Sequence, residues 1–245
     1  MFVSDPEKRI FLRRLKVHSH LAALVFHDRL QAEISKQRLG VPAAKVHIAK
    51  QGIDERFWCP QPIQPNVISS VGWESRDYET LLRAVEGLPL ELEIAIGSVS
   101  SVKAADAAAR LEKRGLPSNV RFVWPDTGGL REVYARSRFV VLPLHDVPYE
   151  AGSTSLLEAM AMEKAVILSR THGGTDILRD GDQGLYVPPE DPAALRQAIE
   201  SLVSDPDLAR RMGRAGRALV EERYTLDGYV ERLQRIISNV ATANV

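Results

Sequence analysis

The stretch Phe139-Val140-Val141-Leu142-Pro143-Leu144, followed after a short polar gap by Tyr149-Glu150-Ala151-Gly152-Ser153-Thr154-Ser155-Leu156-Leu157-Glu158-Ala159-Met160-Ala161-Met162, decides how this chain folds. The first part is apolar without alternation, the pattern of a strand covered on both faces. The second part opens with small hydroxyl residues and runs on as an apolar-rich helix. Two carboxylates lie in it, Glu150 in the strand-to-helix loop and Glu158 in the first turns of the helix. A helix N-terminus has unpaired N–H groups and the positive end of a dipole, so it suits a phosphate. A carboxylate one turn further in is placed to accept hydrogen bonds from a ribose. The same residues also read as a capping box, Ser155-x-x-Glu158 before an apolar run, in which both side chains satisfy helix-end N–H groups.

Outward from this stretch, short β-rich runs alternate with helical patterns from residue 66 onward. Strands are expected at Val67 to Gly72, Leu92 to Gly97, Val120 to Val123, 139–144, Ala165 to Leu168 and Leu185 to Val187. Helices are expected at Tyr78 to Leu88, Val102 to Arg114, Leu130 to Arg136 and from about Thr154. Strands interleaved with helices, several of them continuously apolar, indicate a doubly wound parallel α/β domain. In such a domain ligands bind outside the carboxyl ends of the strands, where the main loops of interest sit.

The tail reads as helical. Asp191-Pro192 and Asp205-Pro206 each start a helix, with Asp as N-cap and Pro in the first position. A last amphipathic helix runs from about Asp227 to Ser238. At the other end, Asp5-Pro6-Glu7 opens a basic helix to about Lys16, Leu21 to Phe26 reads as a strand, Arg29 to Leu39 as a helix and Val46 to Ala49 as a short strand. Gln51-Gly52-Ile53-Asp54, with Pro60, Pro62 and Pro65 after it, looks like a linker. The expected organisation is therefore 1–58 as a remnant and hinge, 59–225 as the Rossmann-like domain and 226–245 as a C-terminal helix.

Composition narrows the function classes. The 245 residues carry 32 basic and 32 acidic side chains, so no global basic field argues for nucleic acid or an anionic membrane. One cysteine, Cys59, excludes an internal disulfide and a cysteine-built zinc site. No apolar run reaches transmembrane length and the start lacks a signal-peptide pattern, so a cytoplasmic location is the expectation.

Four motifs in order resemble one family. They are Glu150-x7-Glu158 with Leu-Leu-Glu-Ala-Met-Ala; Gly72-Trp73-Glu74-Ser75-Arg76-Asp77-Tyr78-x-x-Leu81-Leu82; Arg179-Asp180-Gly181-Asp182-Gln183-Gly184-Leu185-Tyr186-Val187-Pro188-Pro189-x-Asp191-Pro192; and Gly40-Val41-Pro42-x-x-Lys45-Val46 leading to Gly52-Ile53-Asp54. From about Val25 to the end the chain resembles the C-terminal, donor-binding half of a GT-B glycosyltransferase of family GT4. The resemblance implies a retaining, metal-independent transfer of a sugar from a nucleotide-sugar donor to an acceptor hydroxyl, with no further cofactor. It implies that Glu158 accepts the ribose hydroxyls, that Glu150 sits near the sugar and the departing phosphate, and that Ser153, Thr154 and Ser155, after Gly152, hold the diphosphate by backbone N–H groups. It places Arg76, near Gly72, where the family has a phosphate-neutralising lysine; arginine does this bidentately. Trp124 stands where it can stack on a nucleobase or form a rim aromatic.

The chain also departs from the family pattern. Trp73 and Glu74 stand where the family commonly has an arginine, Ala151-Gly152-Ser153 replaces Gly-Phe-Gly, and Gln51 replaces the asparagine before the hinge glycine. Only the last elements of an acceptor-side domain fall within residues 1–58, where His18 and His20 read as surface residues. The resemblance therefore leaves three readings: a donor-binding half needing a partner chain or self-association, one subunit of a split enzyme, or a non-catalytic nucleotide-sugar-binding or interaction module. A GT-B epimerase or phosphorylase finds no support in the motifs.

Overall fold

The computed structural model describes residues 14, 16–62, 65, 67–96, 102–113, 115–174 and 177–243. The basic helix expected from Asp5 to about Lys16 falls almost wholly outside them. Six strands form one parallel sheet: β3 (Val67–Val71), β4 (Leu92–Ala95), β5 (Val120–Val123), β6 (Ser137–Leu142), β7 (Ala165–Ser169) and β8 (Gly184–Val187). Their order is β5-β4-β3-β6-β7-β8, so the winding reverses between β3 and β6. Helices α2 (Tyr78–Val85), α3 (Val102–Lys113), α4 (Thr127–Arg136) and α5 (Ser153–Ala161) connect successive strands, and α6 (Pro192–Ser204), α7 (Pro206–Arg223) and α8 (Leu226–Ala243) follow. A smaller parallel pair, β1 (Leu24–Phe26) with β2 (Val46–Ile48), flanks α1 (Arg29–Leu39). The α/β doubly wound class expected from the sequence is the one observed.

The apolar strands are explained by burial on both faces. On β6, Phe139 and Val141 join α2 and α6 side chains such as Leu81, Val85, Leu195 and Ile199 on one face. Val140 and Leu142 join Leu156, Leu157 and Met160 of α5 on the other. Burying each such side chain is worth about 1.5–3 kcal/mol, so a strand with no polar face is stable only between two helix layers. Glu93, on β4, is a buried carboxylate among them. Burial alone would raise its carboxyl, but hydrogen bonds from Arg136 and Arg121 outweigh it and hold the group below the usual value.

Helix starts follow local chemistry. Asp77, Asp126, Asp191 and Asp205 each cap the helix that follows through the side chain, and Pro192 and Pro206 occupy first positions as expected. The Asp126 cap starts α4 at Thr127, earlier than the apolar pattern alone indicates, because Gly128 and Gly129 hide the first turn.

The segment 51–58 is packed down. Ile53 N–H donates to Tyr224 O at 2.8 Å, and Trp58 meets Tyr134 edge-on at 5.6 Å. Arg217, on α7, ties three parts together: its Nη1 donates to Glu55 O and Trp58 O at 2.9 Å and to Ala161 O at 2.8 Å. Helix α7 reaches this position because Gly216 lets it lie against Met160 of α5 and Gly213 against the turn after it, where a Cβ would stand 2.2 Å from Glu163 O. Arg217→Ala leaves three carbonyls unpaired, so urea denaturation is expected to show a loss of about 2–4 kcal/mol. A loss within 0.5 kcal/mol, roughly the size of an ordinary surface change, would show that the clamp is dispensable.

Candidate functional site

The loops after β3 and β6 meet at the reversal in strand order, which is where an open parallel sheet leaves a crevice. Arg76 and Leu144 form an isolated antiparallel bridge across the gap, and His145 N–H donates to Ser75 O at 3.0 Å. The two loops enclose an open cleft of about 800 Å³ that runs from Gly72 to Arg76 on one wall and from Tyr149 to Ser155 on the other. A second groove, of about 660 Å³, shares Gly72, Thr154 and Ser155 with it and is lined by Glu158, Leu130, Trp58 and the Pro125–Thr127 segment.

The N-terminus of α5 stands between the two grooves. Gly152 precedes the helix at φ +77°, a left-handed conformation that favours glycine. Backbone bonding starts with Leu156 N–H to Gly152 O at 2.9 Å, so the N–H groups of Ser153, Thr154 and Ser155 have no carbonyl within the helix. No side chain caps this end. The capping-box reading of Ser155 and Glu158 is therefore overturned: the helix begins two residues before Ser155, and both side chains are engaged elsewhere. Ser155 Oγ accepts from Arg76 Nη2 at 3.1 Å, and Glu158 Oε2 accepts from Tyr134 O–H at 2.8 Å.

Arg76 lies behind the helix end. Its Nε donates to Val71 O at 2.9 Å and its Nη1 to Glu74 O at 3.1 Å. Gly72 makes room for it: at φ +94°, a Cβ there would stand 2.8 Å from Arg76 Nη2. Burial draws the guanidinium below its usual value, opposed by the nearby Tyr78, Tyr134 and Glu158. Burial likewise raises the Glu158 carboxyl to about 7, against the Tyr134 hydrogen bond and the Arg76 charge, which both lower it. Tyr134 is pushed well up by burial and by the Glu158 charge.

Of the residues singled out in the sequence, Gly72, Arg76, Glu150, Gly152, Ser153, Thr154, Ser155 and Glu158 all line this pair of grooves. Trp124 does not line them; it follows β5, just before Pro125, and is exposed. Trp73 turns to Tyr78, ring centres 5.8 Å apart, and packs against the core. Three contributors went unread in the sequence. Tyr134 is one. Gln51 is another: its Nε2 donates to Thr154 Oγ1 at 2.9 Å while its Oε1 accepts from Ser153 Oγ at 3.3 Å. The third is the Ser75–Tyr149 hydroxyl pair at 2.8 Å. None follows from periodicity, since each depends on residues 21 to 103 positions distant. Among the described residues, no three His, Cys, Asp or Glu side chains gather so as to hold a metal ion. No helix among them is long and apolar enough to cross a membrane.

Known proteins share this arrangement of elements. The sucrose-phosphate synthase of Thermosynechococcus elongatus superposes with a TM-score of 0.81 at 21% identity, covering 98% of this chain and 63% of that one. The Anabaena HepE structure with UDP and glucose gives 0.81 at 15% identity, covering 98% and 69%. In sequence, the chain is 26% identical to the alpha-D-kanosaminyltransferase of Streptomyces kanamyceticus over 97% of its own length. It is 23% identical to the alpha-maltose-1-phosphate synthase of Mycolicibacterium smegmatis over 94%. It spans 65% and 66% of the lengths of those two relatives. The model of the family "Glycosyl transferases group 1" matches residues 75–219, over half of the chain, including the whole of the loop after β6 and the end of the loop after β3 from Ser75. This chain belongs to the glycosyl transferases group 1 family.

Proposed function

We propose that this chain is the donor-binding half of a glycosyltransferase that moves a sugar from a nucleotide-sugar to an acceptor hydroxyl with retained configuration and without a metal ion. One observation carries the reading. The uncapped N-terminus of α5, the Arg76 guanidinium behind it and the Glu158 carboxylate in the adjoining groove converge at the strand-order reversal. The first two suit a diphosphate and the third suits a ribose diol, which a carboxylate can accept with both oxygens. The relatives' names agree in kind, and the HepE structure holds UDP and glucose.

In this account the diphosphate lies across the N–H groups of Ser153, Thr154 and Ser155. Arg76 and these groups take up the charge that grows as the bond from the sugar's anomeric carbon to the phosphate oxygen breaks. The acceptor oxygen bonds to the same face of that carbon, and its proton passes to the departing phosphate. Glu150 orients sugar hydroxyls. Trp124 is the candidate to stack on the base, which requires its ring to turn toward the Pro125 groove. A partner chain or a second copy is proposed to dock on this chain. The exposed Val25 and Ile48 of the small sheet and Val230 and Ile237 of α8 favour such a partner. Light scattering at micromolar concentration is then expected to give a mass above the 27.2 kDa of one chain, or to do so once the partner is added.

A non-catalytic nucleotide-sugar-binding module shares the site and differs in turnover, so hydrolysis of the bound donor separates the two. Calorimetric titration with UDP, GDP and ADP is expected to show binding of at least one, weakened tenfold or more by Glu158→Ala, about 1.4 kcal/mol. Equal binding by the variant would remove the ribose role from Glu158.

The elevated Glu158 value adds a pH dependence with a defined sign. Ribose hydroxyls donate to the ionised carboxylate, so binding favours proton release. Affinity is expected to rise between pH 6 and pH 8 through the value of about 7, and Glu158→Gln is expected to flatten that rise. Affinity that falls over the same range would mean that the protonated carboxyl is the binding form.

A further inference from the structure

Beyond the diphosphate cradle, the larger cleft holds a pair of hydroxyls whose chemistry identifies the class of sugar, an inference that rests on the donor-binding reading above. With the nucleoside at Glu158 and the diphosphate at the helix end, the group beyond the second phosphate enters the cleft between the β3 and β6 loops. Ser75 and Tyr149 span that cleft, Oγ to phenolic oxygen at 2.8 Å. Neither is free to drift. Ser75 sits at φ +59°, a conformation a non-glycine residue holds only when its surroundings impose it, and its carbonyl accepts from His145 N–H at 3.0 Å. Tyr149 is pressed from behind by Gly173, where a Cβ would stand 2.0 Å from Tyr149 O, and Gly173 N–H donates to Val147 O at 2.8 Å.

Two hydroxyls joined by one hydrogen bond keep one O–H donor and several lone pairs between them, with no charge. That is the complement of a sugar hydroxyl, which also donates one bond and accepts others. The charged groups lining the same cleft are Arg76, already tied to Val71, Glu74 and Ser155, and the carboxylates of Glu74 and Glu150. Arg29 and Lys50 line a separate small cavity that shares Glu150 and Ser153 with the cleft. Among the described residues lining the cleft, a carboxylate on the incoming sugar would therefore meet the like charge of Glu74, while the cation there, Arg76, is already engaged. We propose that Ser75 and Tyr149 are specificity-determining residues that read hydroxyls of a neutral donor sugar, and that Glu74 sets the cleft against uronic acids.

The test uses the full chain and the base that binds most tightly among UDP, GDP and ADP. Tyr149→Phe and Ser75→Ala are expected to bind that bare diphosphate within twofold of the wild type. They are expected to bind the matching neutral sugar nucleotide (UDP-glucose, GDP-mannose or ADP-glucose) about five- to tenfold more weakly, which is the loss of one neutral hydrogen bond. The double variant is expected to lose little more than either single one, because the pair acts as a unit. The corresponding uronic acid nucleotide is expected to bind the wild type at least tenfold more weakly than the neutral one, and Glu74→Gln to narrow that gap. Unchanged sugar-nucleotide affinity in both variants, or an equal loss for the bare diphosphate, would overturn the assignment. So would a uronic acid donor that binds as well as the neutral one. Failure of all three bare diphosphates to bind the wild type would instead bring down the donor-binding reading itself, and this inference with it.

Discussion

A half-buried guanidinium at the point where the sheet reverses direction governs the layout of the site. The N–H groups of Arg76 that turn away from the cleft must find acceptors in the protein, since a cation withdrawn from water without them is strongly disfavoured. It takes the carbonyls of Val71 and Glu74 and the hydroxyl of Ser155, and so joins the end of β3 to the first turn of α5. Gly72 is the residue that its position requires to be small, since a Cβ there would stand 2.8 Å from the guanidinium, whereas Gly152 is favoured by its own left-handed φ of +77°. The loop after β3 and its contact with the entry of α5 follow from seating one cation behind one helix end.

The same cation reaches the second groove through charge. Glu158 is held by Tyr134, which is itself wedged against Trp58 and fixed from α4. Burial raises the carboxyl and Arg76 pulls it back, leaving it at about 7. A carboxylate balanced in this way is sensitive to what fills the groove, because a ligand that donates hydrogen bonds tips it to the ionised form. The clamp made by Arg217 matters for the same reason: it holds the backbone of Trp58, and Trp58 supports Tyr134.

Much of this was legible in the sequence. The unbroken apolar runs at Val140 to Leu142 and Val166 to Leu168 require a sheet covered on both sides, and the fold follows. The carboxylates at 150 and 158, with the small residues between them, mark the helix end. Local spacing misled where one pattern has two readings: Ser155-x-x-Glu158 has the form of a cap, but the two side chains are engaged by Arg76 and Tyr134, which lie 79 and 24 residues away. Gln51 reads in the sequence only as a departure from a family pattern, because its contact with Ser153 and Thr154 exists only once the segment 51–58 packs down. Tyr149 and Ser75 were inside quoted motifs, yet their pairing is a property of two loops meeting and has no sequence period.

The most direct test of the central claim is a two-dimensional amide NMR spectrum of the chain recorded while UDP, GDP and ADP are added in turn. The account predicts that the tightest binder shifts the Ser153, Thr154 and Ser155 amides and the Arg76 side-chain N–H most strongly, since these would meet the diphosphate. Shifts confined to the opposite ends of the strands, around Leu92 and Asn119, with the α5 amides unmoved would contradict it.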